Sequence, residues 1–139
     1  MKPAVAAAYR REMAEARAAL DAGDDARAFA SLERAHIVAQ RWLWPHLVTH
    51  WLMLRRGWGR RDAREVVGQL LRLAASFPGW LTGWVPKGNT GGSNVSALRP
   101  MPLPADLRDL LAGHDVRRDV AIRVPLLVAL LVTLASTWY

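Results

Sequence analysis

Three imidazoles stand within one short stretch of the chain: His36, His46 and His50, in LERAHIVAQRWLWPHLVTHWLML. His46 and His50 are at i and i+4, a spacing that puts both rings on one helix face a turn apart. Arg41–Pro45 reads as a turn centred near Leu43, so His36 lies seven residues before the turn and His50 seven after it. In antiparallel helices joined by a short loop, residues equidistant from the turn are neighbours, and the three rings are expected to converge between the two helices. Glu33, one turn before His36, adds a Glu-x-x-His spacing of the kind found on the helices of carboxylate-bridged di-iron bundles. Three imidazoles with one carboxylate suit zinc, copper(II), nickel or iron. The expected ligands are His36, His46 and His50, with Glu33 as an auxiliary ligand or an orienting partner. A single Glu-x-x-His, without further paired glutamates, argues against a coupled di-iron oxygenase. The plain alternative is three core histidines bonded to backbone or tryptophan groups. An organic cofactor such as haem, beside Trp42 and Trp51, has less support because nothing selects a porphyrin over a bare ion.

Other chemistries find little footing. The chain has no cysteine, which removes disulfides, thiolate metal sites and cysteine nucleophiles. No Ser/His/Asp set or paired carboxylates share one element, so hydrolase chemistry is not indicated. The segment Gly88–Asn94 (GNTGGSN) lacks the Gly-Lys-Ser/Thr ending of a phosphate-binding loop, and no strand precedes it. Arg55, Arg56, Arg60 and Arg61, with Arg64, form a basic run that suits an anionic partner, either phosphates or an anionic membrane face. Without a recognisable nucleic-acid module around them, nucleic acid is disfavoured, and a solvated turn is the simplest account. His114 has no partner in the sequence.

The elements that must hold the imidazoles follow from pattern. The 139 residues suffice for one domain, with 52% hydrophobic and 22% charged residues and a net charge of +7. Pro3 suits a first helical position, and Tyr9, Met13, Ala16 and Leu20 share a face of the helix it opens. Gly23 ends that helix, and Asp24 or Asp25 caps a second, running to about Gln40. The third runs from Pro45 to Arg56. Asp62 and Glu65 have the spacing of a capping box for the fourth, whose apolar face is Val66, Val67, Leu70, Leu71 and Leu73 and which closes at Ser76–Gly79. Residues 77–104 then read as a long loop that covers the bundle through Trp80, Trp84 and Val85, followed by a short helix with Leu107, Leu110 and Leu111 inward. The fold class is therefore all-α: two antiparallel helical hairpins with tetratricopeptide-like packing, a long ordered loop, a short helix and an apolar C-terminal helix.

The C-terminal stretch is uncharged from Val124 onward and is preceded by Arg117, Arg118 and Arg123. Sixteen residues of helix span ~24 Å, somewhat less than the ~30 Å hydrocarbon layer. Basic residues before it and aromatics after it fit a membrane tail, with Val124, Leu127, Leu130, Leu131, Leu134 and Trp138 facing lipid. The alternative is a helix buried on the hairpins. On this division residues 1–113 form the helical-hairpin domain and 114–139 the basic-flanked helix. The N-terminal stretch has no apolar core of a signal peptide, so the main domain is expected in the cytoplasm, with the C-terminal helix as a candidate tether to the inner membrane.

The histidine hairpin (LERAHIVAQR…WPHLVTHWLMLRRGW) and the loop KGNTGGSNVSALRPMPLP together resemble a family of short bacterial proteins known as domain of unknown function 3703. The resemblance covers roughly Met1 to Leu107 and implies the helical body without an established activity. The expected function is non-enzymatic transition-metal binding. The alternative is a membrane-tethered protein-interaction module whose hairpins form a docking face.

Overall fold

A computed structural model describes residues 1–137, so Trp138 and Tyr139, the aromatic end of the expected tail, lie outside the described residues. Five α-helices and one 3-10 turn account for the regular structure among these residues, as the all-α pattern requires. They are Pro3–Asp21 (α1), Asp25–Ala39 (α2), Leu43–Gly59 (α3), Ala63–Thr82 (α4), the 3-10 turn Ala105–Leu107, and Val116–Ser136 (α5). α1 packs on α2, α2 on α3 and α3 on α4, while α5 lies against α4 and pairs through Asp119 with Arg41 in the α2–α3 turn.

The caps explain the joints. Gly23 turns the chain at φ +75°, and Asp24 caps α2 by accepting from Arg27 N. Asp62 caps α4 by accepting from Glu65 N at 3.0 Å, but the Glu65 carboxylate does not return the bond. It turns inward instead, to Ser93 and Gln69, so only half of the capping box forms. The α2–α3 turn is centred on Arg41, two residues earlier than the sequence suggests, because Pro45 fits within the first turn of α3 rather than before it.

Two small apolar clusters hold the first hairpin. One joins Val5, Ala8, Ile37, Val38, Leu107 and Leu111, with Leu110 packed beside it, which bears out the inward side expected of the short helix. The other joins Ala16, Leu32 and Met53. The α1 face is rotated from the expected one: Val5, Ala8, Glu12, Ala16 and Ala19 are buried, whereas Tyr9 and Met13 pack at its margin.

α4 departs from expectation on two counts. It runs on through Pro78 to Thr82, because Gly83, at φ +78°, supplies the left-handed cap that Ser76–Gly79 does not. Gly83 is also required by crowding, since a Cβ there would lie 2.9 Å from the backbone of Asp119 on α5. Second, its buried residues are Glu65, Gln69, Arg72 and Ser76, and its supposed core residues Val67, Leu70 and Leu71 face outward. The inner face is polar because the Gly-rich loop, not another apolar helix, packs there: Arg72 donates to the carbonyls of Gly92 and Val95, and Gln69 to that of Gly91. A buried loop brings unpaired backbone carbonyls, which only polar side chains can satisfy.

The inversion predicts opposite effects at adjacent positions. Gln69→Leu adds an apolar group yet strands Glu65 and the Gly91 carbonyl, and is expected to cost about 1–3 kcal/mol. Leu71→Gln, at 68% exposure, should lie within about 0.5 kcal/mol of the parent. Thermal unfolding of the two variants decides it, and the reverse order would contradict the observed face.

Candidate metal centre

α2 and α3 bring the three imidazoles together. Counting from Arg41, His36 and His46 are the equidistant pair, and His50 follows one turn along the same face of α3. The Nε2 atoms of His36 and His46 are 2.8 Å apart, those of His46 and His50 3.0 Å, and those of His36 and His50 3.2 Å. The ring centroids are each 4.6 Å apart, so the three rings meet at their Nε2 edges. All three are buried.

The opposite edges decide where the protons sit. His36 Nδ1 is 2.9 Å from the Asn89 carbonyl oxygen, which only accepts, so Nδ1 carries the hydrogen and Nε2 a lone pair. His50 Nδ1 is 2.6 Å from Gln69 Oε1. The Gln69 amide is oriented by its own NH2, which donates to Glu65 Oε1 at 2.7 Å and to the Gly91 carbonyl at 2.8 Å. Reversing it would set an amide oxygen against two acceptors. His50 therefore also donates through Nδ1 and turns a bare Nε2 toward His36. Among the described residues His46 Nδ1 is buried without a hydrogen-bond partner. Two lone pairs facing each other repel unless a proton or a cation lies between them.

Protonation is disfavoured throughout. Burial, followed by the neighbouring His46 and His50, holds His36 well below the ordinary imidazole value. Burial, then His50, brings His46 down to about 3. Burial brings His50 down to about 4, against the opposing effect of the hydrogen bond it donates to Gln69. The cluster is neutral at physiological pH, the form in which imidazole binds metals.

The Gly-rich loop clamps the cluster. Asn89 is fully enclosed; its amide donates to the Ser96 and Arg99 carbonyls at 2.8 Å, and its Oδ1 accepts from Gly91 N at 2.9 Å. These bonds aim its main-chain oxygen at His36. Gly91, at φ +81°, lies flat on the same ring, where an added Cβ would stand 2.7 Å from His36 carbon atoms. Glu33 sits beside this loop and not in the triangle. Its carboxylate stands beside Gly92, and burial, with the nearby Glu65, raises its pKa against an opposing effect of Thr90. The compact group of potential ligand atoms, all within 4.8 Å of one another, is His36, His46 and His50. A cavity of about 70 Å³ opens beside it, lined also by Arg72, Trp80, Trp84 and Leu98. No motif marked Gln69, and Glu65 carried only the spacing of a cap; for Asn89 and Gly91 the one available hint was the Asn-Gly content of a loop too long to be a simple connection.

The remaining expected residues are dispersed. Arg56 pairs with Asp25, whereas Arg60, which stacks 5.0 Å from the Phe29 ring centre, stays exposed, as do Arg55 and Arg61. Val124 and Leu127 are half-buried, and Leu130, Leu131 and Leu134 exposed. His114 is buried 3.7 Å from Asp119, which also accepts from Arg41 at 3.1 Å.

These features define a small helical-bundle protein with a buried trihistidine group. The chain belongs to the family described as protein of unknown function (DUF3703), whose profile matches residues 3–111 and so stops short of α5. No curated protein and no solved structure matches it.

The depressed histidines predict a pH dependence with a definite sign. Between about pH 6.5 and 4 the unfolded chain binds protons that the folded cluster refuses, so stability falls as pH drops through that window and is flat with respect to these groups above it. The slope approaches ~1.4 kcal/mol per pH unit for each histidine. Denaturant unfolding of metal-free protein at pH 7.5, 6 and 5 measures it; equal stability at all three would contradict the neutral buried cluster.

Proposed function

We propose that the protein binds one transition-metal ion through the Nε2 atoms of His36, His46 and His50, as a carrier or sensor rather than an enzyme. The observation that carries this is the opposition of two bare Nε2 lone pairs, fixed by Asn89 and Gln69, with a third imidazole against both. A tetrahedral ion at ~2.0–2.1 Å from each nitrogen would set them ~3.4 Å apart. The present 2.8–3.2 Å separations need only a slight opening of the rings. Three neutral nitrogens favour zinc, copper, nickel or iron over hard oxygen-seeking cations. Asn89 and Gln69 orient the rings, and Gln69 extends the chain of polarisation to the Glu65 carboxylate. Glu33 stands at Gly92, on the border of the loop that carries Asn89.

Metal added to the apo-protein should be retained at one equivalent and raise the melting temperature, because a ligand that binds only the folded state stabilises it. His50→Ala should abolish both effects, and Asn89→Ala should weaken retention by about 10–100-fold. Failure of zinc, copper, nickel and iron alike to be retained by the parent protein would make the cluster structural.

A second reading is favoured by α5 itself: a membrane-tethered interaction module. α5 has 21 residues, mean hydropathy 1.9 in its most apolar window and only 6% of that window buried. The helix is thus long and apolar enough to cross a bilayer and is not used as core. Truncation after Asp115 is expected to move the protein from the membrane pellet to the supernatant; a parent protein already in the supernatant would defeat the tether.

A further inference from the structure

Independently of the metal, we infer that the outer face of the α3–α4 hairpin is a lipid-contacting surface that seats on an anionic bilayer at headgroup depth. Trp44, Trp51 and Trp58 recur every seventh residue on the outside of α3, and Trp44 and Trp58 are about three-quarters exposed. Val67, Leu70, Leu71 and Phe77 continue the surface on α4. Trp51, Leu54, Trp58, Val66 and Leu70 line a shared groove between the two helices. Between Val66 and Pro86 the only charged residue is Arg72, and it is buried. From Trp42 to Leu54 there is no acidic residue, arginine or lysine, and both histidines point inward. A soluble protein rarely leaves so continuous an apolar face open to water.

The charge around the face selects its occupant. Arg55, Arg60, Arg61 and Arg64 are exposed at the α3–α4 turn, against the half-buried Asp62 and the inward Glu65. An apolar face with tryptophans and a rim of arginines matches an acyl boundary capped by anionic headgroups. A second copy of the chain laid on the same face would have to accommodate these like charges at its rim. The surface is also continuous with α5. Arg123 donates to the Trp80 carbonyl at 2.5 Å and lies 5.9 Å from the Trp80 ring centre, and Trp80 itself packs on Phe77. The exposed Ile122 and Leu126 of α5 thus begin beside the end of the α4 face.

The absence of cysteine makes the test direct. Full-length variants Trp51→Cys, Leu70→Cys and, as a control on exposed α1, Arg17→Cys are labelled with an environment-sensitive fluorophore. They are mixed with phosphatidylglycerol/phosphatidylcholine vesicles carrying brominated acyl chains. The expected result is blue-shifted emission and bromine quenching at positions 51 and 70 but not at 17, weakened by Arg60→Glu/Arg61→Glu. Labels at 51 and 70 that stay as open to aqueous iodide as that at 17, while a Leu130→Cys label on α5 enters lipid, would confine the membrane to the tail and overturn the inference. Shielding at 51 and 70 that needs no lipid and grows with protein concentration would assign the face to a second copy and overturn it equally.

Discussion

The hydrogen-bond direction of one amide, that of Gln69, is the constraint on which the centre of this protein depends. Its NH2 is committed to Glu65 and to the Gly91 carbonyl, so its oxygen must face His50, and that imidazole must present a lone pair to His36. The same side chain joins α4, the Gly-rich loop and α3. A fully enclosed polar group of this kind is stabilising only when every hydrogen bond is made, and here the partners come from three separate parts of the chain. The geometry of the cluster and the docking of the loop are therefore one problem with one solution.

From this follows the unusual distribution of polarity. Four polar residues of α4 are turned inward, three of them, Glu65, Gln69 and Arg72, bonded to the loop, and Leu70 and Leu71 are left outside. The first hairpin has an ordinary apolar seam through Val5, Leu32, Val38 and Met53, whereas the second is sealed by hydrogen bonds. The apolar exterior of α3, α4 and α5 and the polar interior are two sides of that arrangement. The matched family segment, residues 3–111, spans the three histidines and the loop against them and ends before α5.

Much of this was legible in the sequence. The caps at Asp24 and Asp62, the stop at Gly23, the inward leucines near residue 107 and the meeting of His36, His46 and His50 all follow from local spacing, because each depends on residues a few turns apart. The face of α4 was not legible: periodicity reports which residues share a side, but which side is buried depends on what packs there, and a carbonyl-rich loop reverses the usual choice. Glu65 misleads for the same reason, having the spacing of a cap but a better partner in Ser93. Glu33 has the right distance in sequence from His36 yet lies beside Gly92 of the loop, outside the group formed by the three imidazoles. The roles of Asn89 and Gly91 rest on contacts more than fifty residues away in the chain, which no local pattern encodes.

The central claim is that His36 and His50 hold their protons on Nδ1 and offer Nε2, with His46, to a single ion. Nitrogen-15 NMR of the imidazoles, in metal-free protein and then with one equivalent of zinc, tests it directly. The account predicts the Nδ1–H tautomer for His36 and His50 before addition, and a concerted shift of all three Nε2 resonances complete at one equivalent. An Nε2–H tautomer at either residue, or Nε2 resonances unmoved by the ion, would contradict it.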